Sequence, residues 1–373
     1  MQIKIKPYSK DMIEPVIDFN QRLAKEGLIF KLPKTNIPEW LPKIENRNIY
    51  QEYFLAIQND SIVRGGYTLK HQEFSFNGEI ISIGVARAPL SEGIIDNAFN
   101  LVALQLLTDA LKKQPLLYGL GLSGGEEPIN KIYRTLGWPI ISVPFYFKVN
   151  NPSNFLRDIT FLRRTRFNKL LFDCFAITGI GFIVIKLIQY LLRKVENNEN
   201  SLSIEIVEEF SMWADKLWEE CKNKFSMIAV RDSNVLNILY PRDNDRFIRL
   251  KISFKDCVIG WVIVLNTQMS NHKQFGDMRV GSIIDCLALP QNASRVLICA
   301  TKYLEKAGVD LIISNQTHHS WCSALKNAGF FNGPSNFNFT ASKKLIKLLN
   351  YPAEIMISNM HLNRGDCDGP INL

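Results

Sequence analysis

Two stretches of this chain are built alike. Residues 117–138 read LYGLGLSGGEEPINKIYRTLGW, and residues 311–330 read LIISNQTHHSWCSALKNAGF. Each predicts a short apolar strand, a polar turn and a helix that closes on a glycine and an aromatic residue, Gly137-Trp138 and Gly329-Phe330. Glycine takes the left-handed conformation that stops a helix without a steric penalty. Pro128 stands at the start of the first helix, where its missing N–H costs little. Further landmarks repeat with the same order. Gly66 answers to Gly260 and Pro89 to Pro290, at offsets of 194 and 201, against 192 for Gly137 and Gly329. A near-constant offset predicts an internal duplication. Two unrelated α/β domains of similar length are the alternative.

A length of 373 residues suits two domains, and 46% hydrophobic with 21% charged residues describes a globular chain. The expected divisions are a first domain at 1–150, a basic and hydrophobic connector at 151–200, a second domain at 201–350 and a tail at 351–373. The first half reads β-α-β-β-β-α-β-α-β. Asn59-Asp60-Ser61 and Asn77-Gly78 are tight-hairpin signals between its strands. A helix is expected at 94–113. In the second half a helix is expected at 205–224, strands at 247–252, 258–266 and 280–289, and a helix at 293–307.

The repeated strand-turn-helix resembles the end of a GNAT (GCN5-related N-acetyltransferase) fold, whose helix commonly closes on Tyr-x-x-x-Gly-Phe. Tyr133-Arg134-Thr135-Leu136-Gly137-Trp138 matches it with Trp for Phe, and Leu325 stands at the tyrosine position of the second copy. Glu126 and His318 stand near where the family carries an Asn. The resemblance implies two tandem GNAT-like α/β domains, each a mostly antiparallel mixed sheet flanked by helices. It also implies an acyl-CoA-dependent N-acyltransferase, acetyl or longer, acting on a small amine or amino-sugar acceptor. The family binds the coenzyme A pyrophosphate on backbone N–H groups after the fourth strand. By that resemblance the cofactor-binding set is Val85, Arg87, Ser91, Gly93 and Ile94. One glycine remains in that turn and Glu92 lies beside it. The corresponding turn of the second half, Pro290-Gln291-Asn292-Ala293-Ser294-Arg295, has none.

Amine acylation by a thioester needs a proton removed from the amine, a polarised carbonyl and a proton for the departing thiolate. Tyr133 is the candidate acid; the alternative is packing beside Trp138. Glu126, with Glu127, is a candidate base or ordinary helix-start electrostatics. His318 is a second candidate base. Asp285, inside the apolar strand GSIIDCLA, is a candidate buried acid or a hydrogen-bonded structural residue. Cys286 and Cys322 are candidate nucleophiles or plain core. No metal site is expected, because the paired histidines lack a third ligand and the tail aspartates Asp366 and Asp368 lack calcium-loop spacing. Folded back to a cleft, Arg364 and these aspartates would hold a polar acceptor. The sparse glycines support another reading, a degenerate GNAT-like binding or scaffold protein, one setting being bacterial surface-polysaccharide biosynthesis.

Seven scattered cysteines without a CxxC pair, and no apolar N-terminal run, favour a reducing cytoplasm. The net charge of +8 has one local concentration, at 157–169. No nucleic-acid signature accompanies it, so no nucleic acid is expected. Residues 174–192, CFAITGIGFIVIKLIQYLL, contain one charge, Lys186. Three placements compete: burial between the domains, which is favoured, peripheral membrane contact through 157–192, and a membrane span. The sequence does not set an oligomeric state.

Overall fold

The computed structural model describes residues 2–28, 31–34, 45–122, 128–160, 162–163, 165–193, 201–350 and 353–366. The chain forms two units, Met1–Ser142 with Asn338–Met356, and Val143–Phe337 with Ile357–Leu373.

In the first unit, β1 (Ile3–Pro7) leads to α1 (Ile13–Lys25). The spacing of Val16, Phe19 and Leu23 gives α1 one apolar stripe, which packs on Leu55, Ile57 and Val63. Strands β2 (Tyr50–Gln58), β3 (Ile62–Phe76) and β4 (Glu79–Ser91) form an antiparallel meander. Asn59 and Asp60 turn the first hairpin at φ 50° and 58°, and Asn77 and Gly78 the second at 49° and 95°. These are the left-handed pairs a tight hairpin requires. Then come α2 (Val102–Lys113), β5 (Leu117–Leu122), α3 (Pro128–Thr135) and β6 (Ile140–Ser142).

The second unit begins with β7 (Phe145–Val149) and α4 (Pro152–Asp158). A helical pair follows, α5 (Arg166–Thr178) and α6 (Ile180–Leu192). Next come β8 (Leu202–Ile206), α7 (Met212–Cys221), β9 (Met227–Ala229) and α8 (Ser233–Leu239). The main sheet is carried by β10 (Ile248–Phe254), β11 (Cys257–Gln268) and β12 (Arg279–Ala288). After it run α9 (Ala293–Lys306), β13 (Leu311–Asn315), α10 (His319–Asn327) and β14 (Phe331–Gly333). The chain then re-enters the first unit with β15 (Phe337–Ala341) and α11 (Lys343–Leu349), and α12 (Ala353–Asn359) follows.

The first sheet is ordered β1-β2-β3-β4-β5-β15-β6 and the second β8-β10-β11-β12-β13-β7-β14. The two orders match position for position. Gly66 faces Leu55 and Leu90 across its neighbours, and Gly260 faces Ile252 and Ala288, so these landmarks sit on corresponding strands. The two helix ends also agree bond for bond. Trp138 N donates to Tyr133 O at 2.9 Å with Gly137 at φ 70°, and Phe330 N donates to Leu325 O at 3.1 Å with Gly329 at φ 83°.

Four expectations are corrected. The divisions at 150 and 350 cut through the units, because β7 pairs with β13 in the second sheet and β15 neighbours β5 in the first. The helix expected from 94 starts at Val102; before it the chain makes two short 3-10 turns, Glu92–Ile94 and Asn97–Phe99. The helix expected from 205 starts at Met212, because Ile204, Glu205 and Ile206 pair with β10 as a strand. Finally, the apolar connector is neither one helix nor buried. It breaks at Gly179, φ 72°, into α5 and α6, which meet at 82°. Phe172, Ala176 and Ile185 pack against Val149, Phe155 and Leu156, while much of the remaining apolar surface is exposed. Among the described residues no single helix is long and apolar enough to cross a membrane.

Candidate active site

The first sheet opens into a fork. Among the described residues β4 and β5 pair, in parallel, only at Gly84↔Leu117 and Val85↔Tyr118. Beyond that point β4 stays with β3 as far as Ser91, and β5 runs on to Leu122. On one face of the fork Leu69, Ala86 and Leu117 form a core with Leu106, Leu107 and Ala110 of α2. Tyr133 closes this core. Its ring stacks on Trp138, centroids 5.3 Å apart and 8° from parallel. Its hydroxyl lies over Gly119, where a Cβ would stand 3.2 Å from Tyr133 Oη. Gly119 is the first β5 residue past the last β4–β5 pair. Tyr133 thus packs beside Trp138, and its hydroxyl stands at the fork.

The opposite face is polar, and strand register explains why. Residues directly opposite in an antiparallel sheet share a face. Gln51, Lys70 and Val85 stand in one row, and Tyr53, Thr68 and Arg87 in the next. Gln72 follows Lys70 by two residues and so joins that face. Lys70 and Gln72 are buried. Arg87 Nη1 donates to Gln51 Oε1 at 3.4 Å. Burial raises the Tyr53 phenol, and Arg87, Thr68 and Gln51 oppose the shift. Among the described residues Gln72 Oε1 is buried without a hydrogen-bond partner. Such orphaned atoms are costly unless a ligand or water meets them. Lys70, Gln51 and Gln72 were not among the residues the sequence pointed to. The polar run Lys70-His71-Gln72-Glu73 was the available signal, but its meaning depends on which face each residue takes.

The expected cofactor-binding set does not form one glycine-lined turn. Val85, Arg87 and Ser91 are strand residues of β4, whereas Gly93 and Ile94 lie in the first 3-10 turn. Ser91 Oγ accepts from Gly93 N at 3.1 Å. Gly93 is required by the protein's own backbone: a Cβ there would lie 2.6 Å from Phe99 O. Glu92, 4% exposed, turns inward. Arg22 Nε donates to its Oε1 at 2.7 Å and Arg64 Nη1 to its Oε2 at 2.8 Å. This carboxylate thus holds two cations that a phosphate would otherwise attract. Glu126 lies outside the described residues.

The second sheet has the same fork, and the chain itself fills it. β12 and β13 pair from Val280↔Leu311 to Ile283↔Ser314, and β12 bulges at Ile284. Residues 361–366 return to this place. His361 bridges to Ile228, and Asn363 to Gln316 just beyond β13. The His361 ring hydrogen-bonds Cys286 O at 2.7 Å. Beside them, Arg231 is buried between two carboxylates. Its Nε donates to Asp285 Oδ1 at 3.0 Å and its Nη2 to both Asp366 oxygens at 2.8 Å. Burial opposes its charge, but Asp285 and Asp366 outweigh burial and raise it above the ordinary arginine range. Asp285 also accepts from Tyr240 Oη at 2.7 Å and from Asn363 Nδ2 at 2.8 Å. Packing here is to contact: a Cβ on Gly365 would lie 2.3 Å from Tyr240 Oη.

These contacts correct the second-half assignments. Asp285 is the anion of a buried ion-pair network, the structural alternative. His318 Nδ1 accepts from Ser320 N at 3.2 Å and caps α10, and burial, with help from His319, pulls its imidazole down to about 4. A ring whose lone pair is engaged and whose affinity for protons is this low is a poor base at neutral pH. Burial pushes Cys286 well up and Cys322 to about 11, so neither thiol is poised as a thiolate. The tail does fold back, but Asp366 meets Arg231, and Arg364 Nε donates to Asn315 Oδ1 at 2.8 Å. Asp368 lies outside the described residues. Among those residues no group of three or more His, Cys, Asp or Glu is arranged to hold a metal ion.

With two forked mixed sheets, the chain has the fold seen in solved GCN5-related N-acetyltransferases and N-myristoyltransferases. The chain is similar in structure to a protein from Enterococcus faecalis described as a probable N-acyltransferase. The two are 12% identical with a TM-score of 0.54, over 94% of this chain and 76% of that one. A GCN5-related N-acetyltransferase from Anabaena variabilis is 11% identical with a TM-score of 0.52, over 91% and 72%. The N-myristoyltransferase of Saccharomyces cerevisiae, solved with myristoyl-CoA and inhibitors, is 11% identical with a TM-score of 0.51, over 91% and 79%. No protein-family model and no curated sequence matches the chain.

Proposed function

We propose that this chain is an acyl-CoA-dependent N-acyltransferase and that its reaction takes place at the fork of the first sheet. One observation carries the proposal. β4 and β5 part immediately beside the Tyr133 hydroxyl, and the far face of the same fork presents Lys70, Gln51, Gln72 and Arg87. A thioester threaded between the strands would have its sulfur on the tyrosine side and its carbonyl beside unpaired β4 backbone. The amine nitrogen forms the new C–N bond as the C–S bond breaks, a backbone N–H polarises the carbonyl, and the hydroxyl protonates the departing thiolate and regains a proton, through water, from the amine nitrogen. On the polar face, the Arg87 guanidinium disfavours a second positive charge, so an acceptor amine there is held neutral and nucleophilic. The amide groups of Gln51 and Gln72 suit the hydroxyls of a small amine or amino-sugar acceptor. An acyl-CoA donor and the exposed free thiols of Cys174 and Cys257 fit a cytoplasmic setting.

A second reading is that the protein binds a ligand or scaffolds a pathway without catalysis. The inward-turned Glu92 with Arg22 and Arg64, and the filled second fork, favour it. Calorimetry with acetyl-CoA and with palmitoyl-CoA separates the two, followed by thiol release with glucosamine as acceptor. One bound donor per chain, and turnover that falls at least tenfold in Tyr133→Phe, is the expected result. Absence of binding to either donor, checked by thermal shift, leaves the noncatalytic reading standing. Turnover unchanged in Tyr133→Phe removes the tyrosine from the mechanism.

A further inference from the structure

We propose that α5 and α6 form a hairpin that docks into one leaflet of an anionic bilayer. This does not depend on the acyltransferase reading. The pair presents Phe167, Leu170, Ile177, Ile183, Tyr190 and Leu191, each at least 65% exposed. Scattered apolar residues on a surface are ordinary, but a continuous apolar helical pair marks a binding face. The two charges further along the pair are already engaged by the protein. Asp173 accepts from Arg163 at 2.6 Å, and Lys186 Nζ donates to Asn150 O at 2.9 Å.

Length and bend set the mode of contact. Each helix has 13 residues, about 20 Å of rise, against a hydrocarbon core of about 30 Å. With an 82° bend at Gly179, neither helix crosses a bilayer, but both can lie within one leaflet.

Charge identifies the occupant as lipid. The root of the hairpin borders a cleft of ≈ 410 Å³ lined by Arg157, Arg163, Lys169 and Lys273, with His272 beside them. Asp158 and Asp277 also face the cleft, and Asp173 already holds Arg163. Arg166 adds a further cation on the first turn of α5. An apolar wedge with a mostly basic collar is complementary to acyl chains beneath anionic headgroups. A second protein surface would have to supply an apolar groove and acidic rim of the same shape.

The test is co-sedimentation of the full chain with vesicles of phosphatidylcholine, and with vesicles of equal parts phosphatidylcholine and phosphatidylglycerol. Binding to the mixed vesicles is expected, weaker binding to the neutral ones, and partial retention after a high-salt wash. Ile183→Lys and Leu191→Lys each weaken binding about tenfold or more, since each withdraws a large side chain from lipid. These sites already face water, so folding, followed by circular dichroism, is retained. Arg157→Ala and Lys273→Ala each remove about fivefold, and only on the anionic vesicles. A Tyr190→Trp reporter should shift its emission to the blue on binding. Three results overturn the proposal. One is failure to bind either vesicle. Another is wild-type binding by both lysine variants. The third is a dimer in light scattering that the lysine variants dissociate, without vesicle binding, which would mean that the face meets a second copy.

Discussion

Replacing Arg231 with methionine asks what holds the second fork shut. The guanidinium is 1% exposed and makes two bonds to Asp366, one to Asp285 and one to Ala229 O. Methionine keeps much of the volume, so the cavity cost is small. The large term is electrostatic. Asp285 and Asp366, both 1% exposed, lose the cation between them. Stranding buried charge in this way typically costs about 3–5 kcal/mol. For a domain whose urea dependence is about 2 kcal/mol/M, the midpoint drops by roughly 2 M. Trp213, Trp218, Trp261 and Trp321 all lie in the second unit, so intrinsic fluorescence follows its unfolding. Adding Asp366→Leu to Arg231→Met should recover stability, because one stranded carboxylate is removed; the double-mutant cycle then gives a clear coupling energy. A loss below about 1 kcal/mol, or a double variant weaker than the sum of the singles, would falsify the buried-ion account.

Two further outcomes follow from the same structure. Burial lowers His318 to about 4 and His361 well below its ordinary value. Between about pH 6.5 and 4 the unfolded chain therefore binds protons that the folded chain refuses, so stability is full above pH 6.5 and falls as pH drops. His318 alone accounts for at most about 3 kcal/mol of that loss. Urea midpoints at pH 7.5 and 5 should differ, and His318→Asn, which keeps a helix cap, should flatten the difference; an unchanged slope would show that this ring is not responsible. At the first fork, Gly119→Ala puts a Cβ 3.0 Å from Thr340 Cγ2 and 3.2 Å from Tyr133 Oη. The hydroxyl must shift, and turnover should fall about tenfold or more with the fold intact; full activity would mean that its position is not critical.

Local chemistry was legible in the sequence. Asn-Gly at 77–78 turned where expected, and Gly137 and Gly329 ended their helices in the left-handed conformation. The fold class came from the family resemblance carried by the strand-turn-helix units. What could not be read was decided by partners distant in sequence. Nothing near Glu92 announces that Arg22 and Arg64 will claim it, 70 and 28 residues away. Asp285 stood open between a buried acid and a structural residue because Arg231, Asn363 and Asp366, which decide it, lie far from it in the sequence. Lys70 and Gln72 declare themselves only once register places them beside Arg87. The hairpin was misjudged for another reason: composition says that 174–192 is apolar, but not which face finds a partner.

The crossed placement of β7 and β15 sets a timetable for synthesis. When a ribosome has released residues 1–142, β5 and β6 exist but the strand between them does not, because it lies at Phe337–Ala341. The nascent first sheet must wait for almost two hundred further residues with a strand edge unpaired. Open edges invite the wrong partner, and closures this remote are slow. The order of birth along the chain therefore differs from the order of completion. The final strand of the first sheet arrives only after β7, β8 and β10 to β14 of the second sheet have been made, and residues 361–366, which fill the second fork, arrive later still. A fragment cut near residue 150 would carry β7, which belongs to the second sheet, and lack β15, which belongs to the first. A peptide covering β15 and α11, supplied separately, has a ready-made gap to enter.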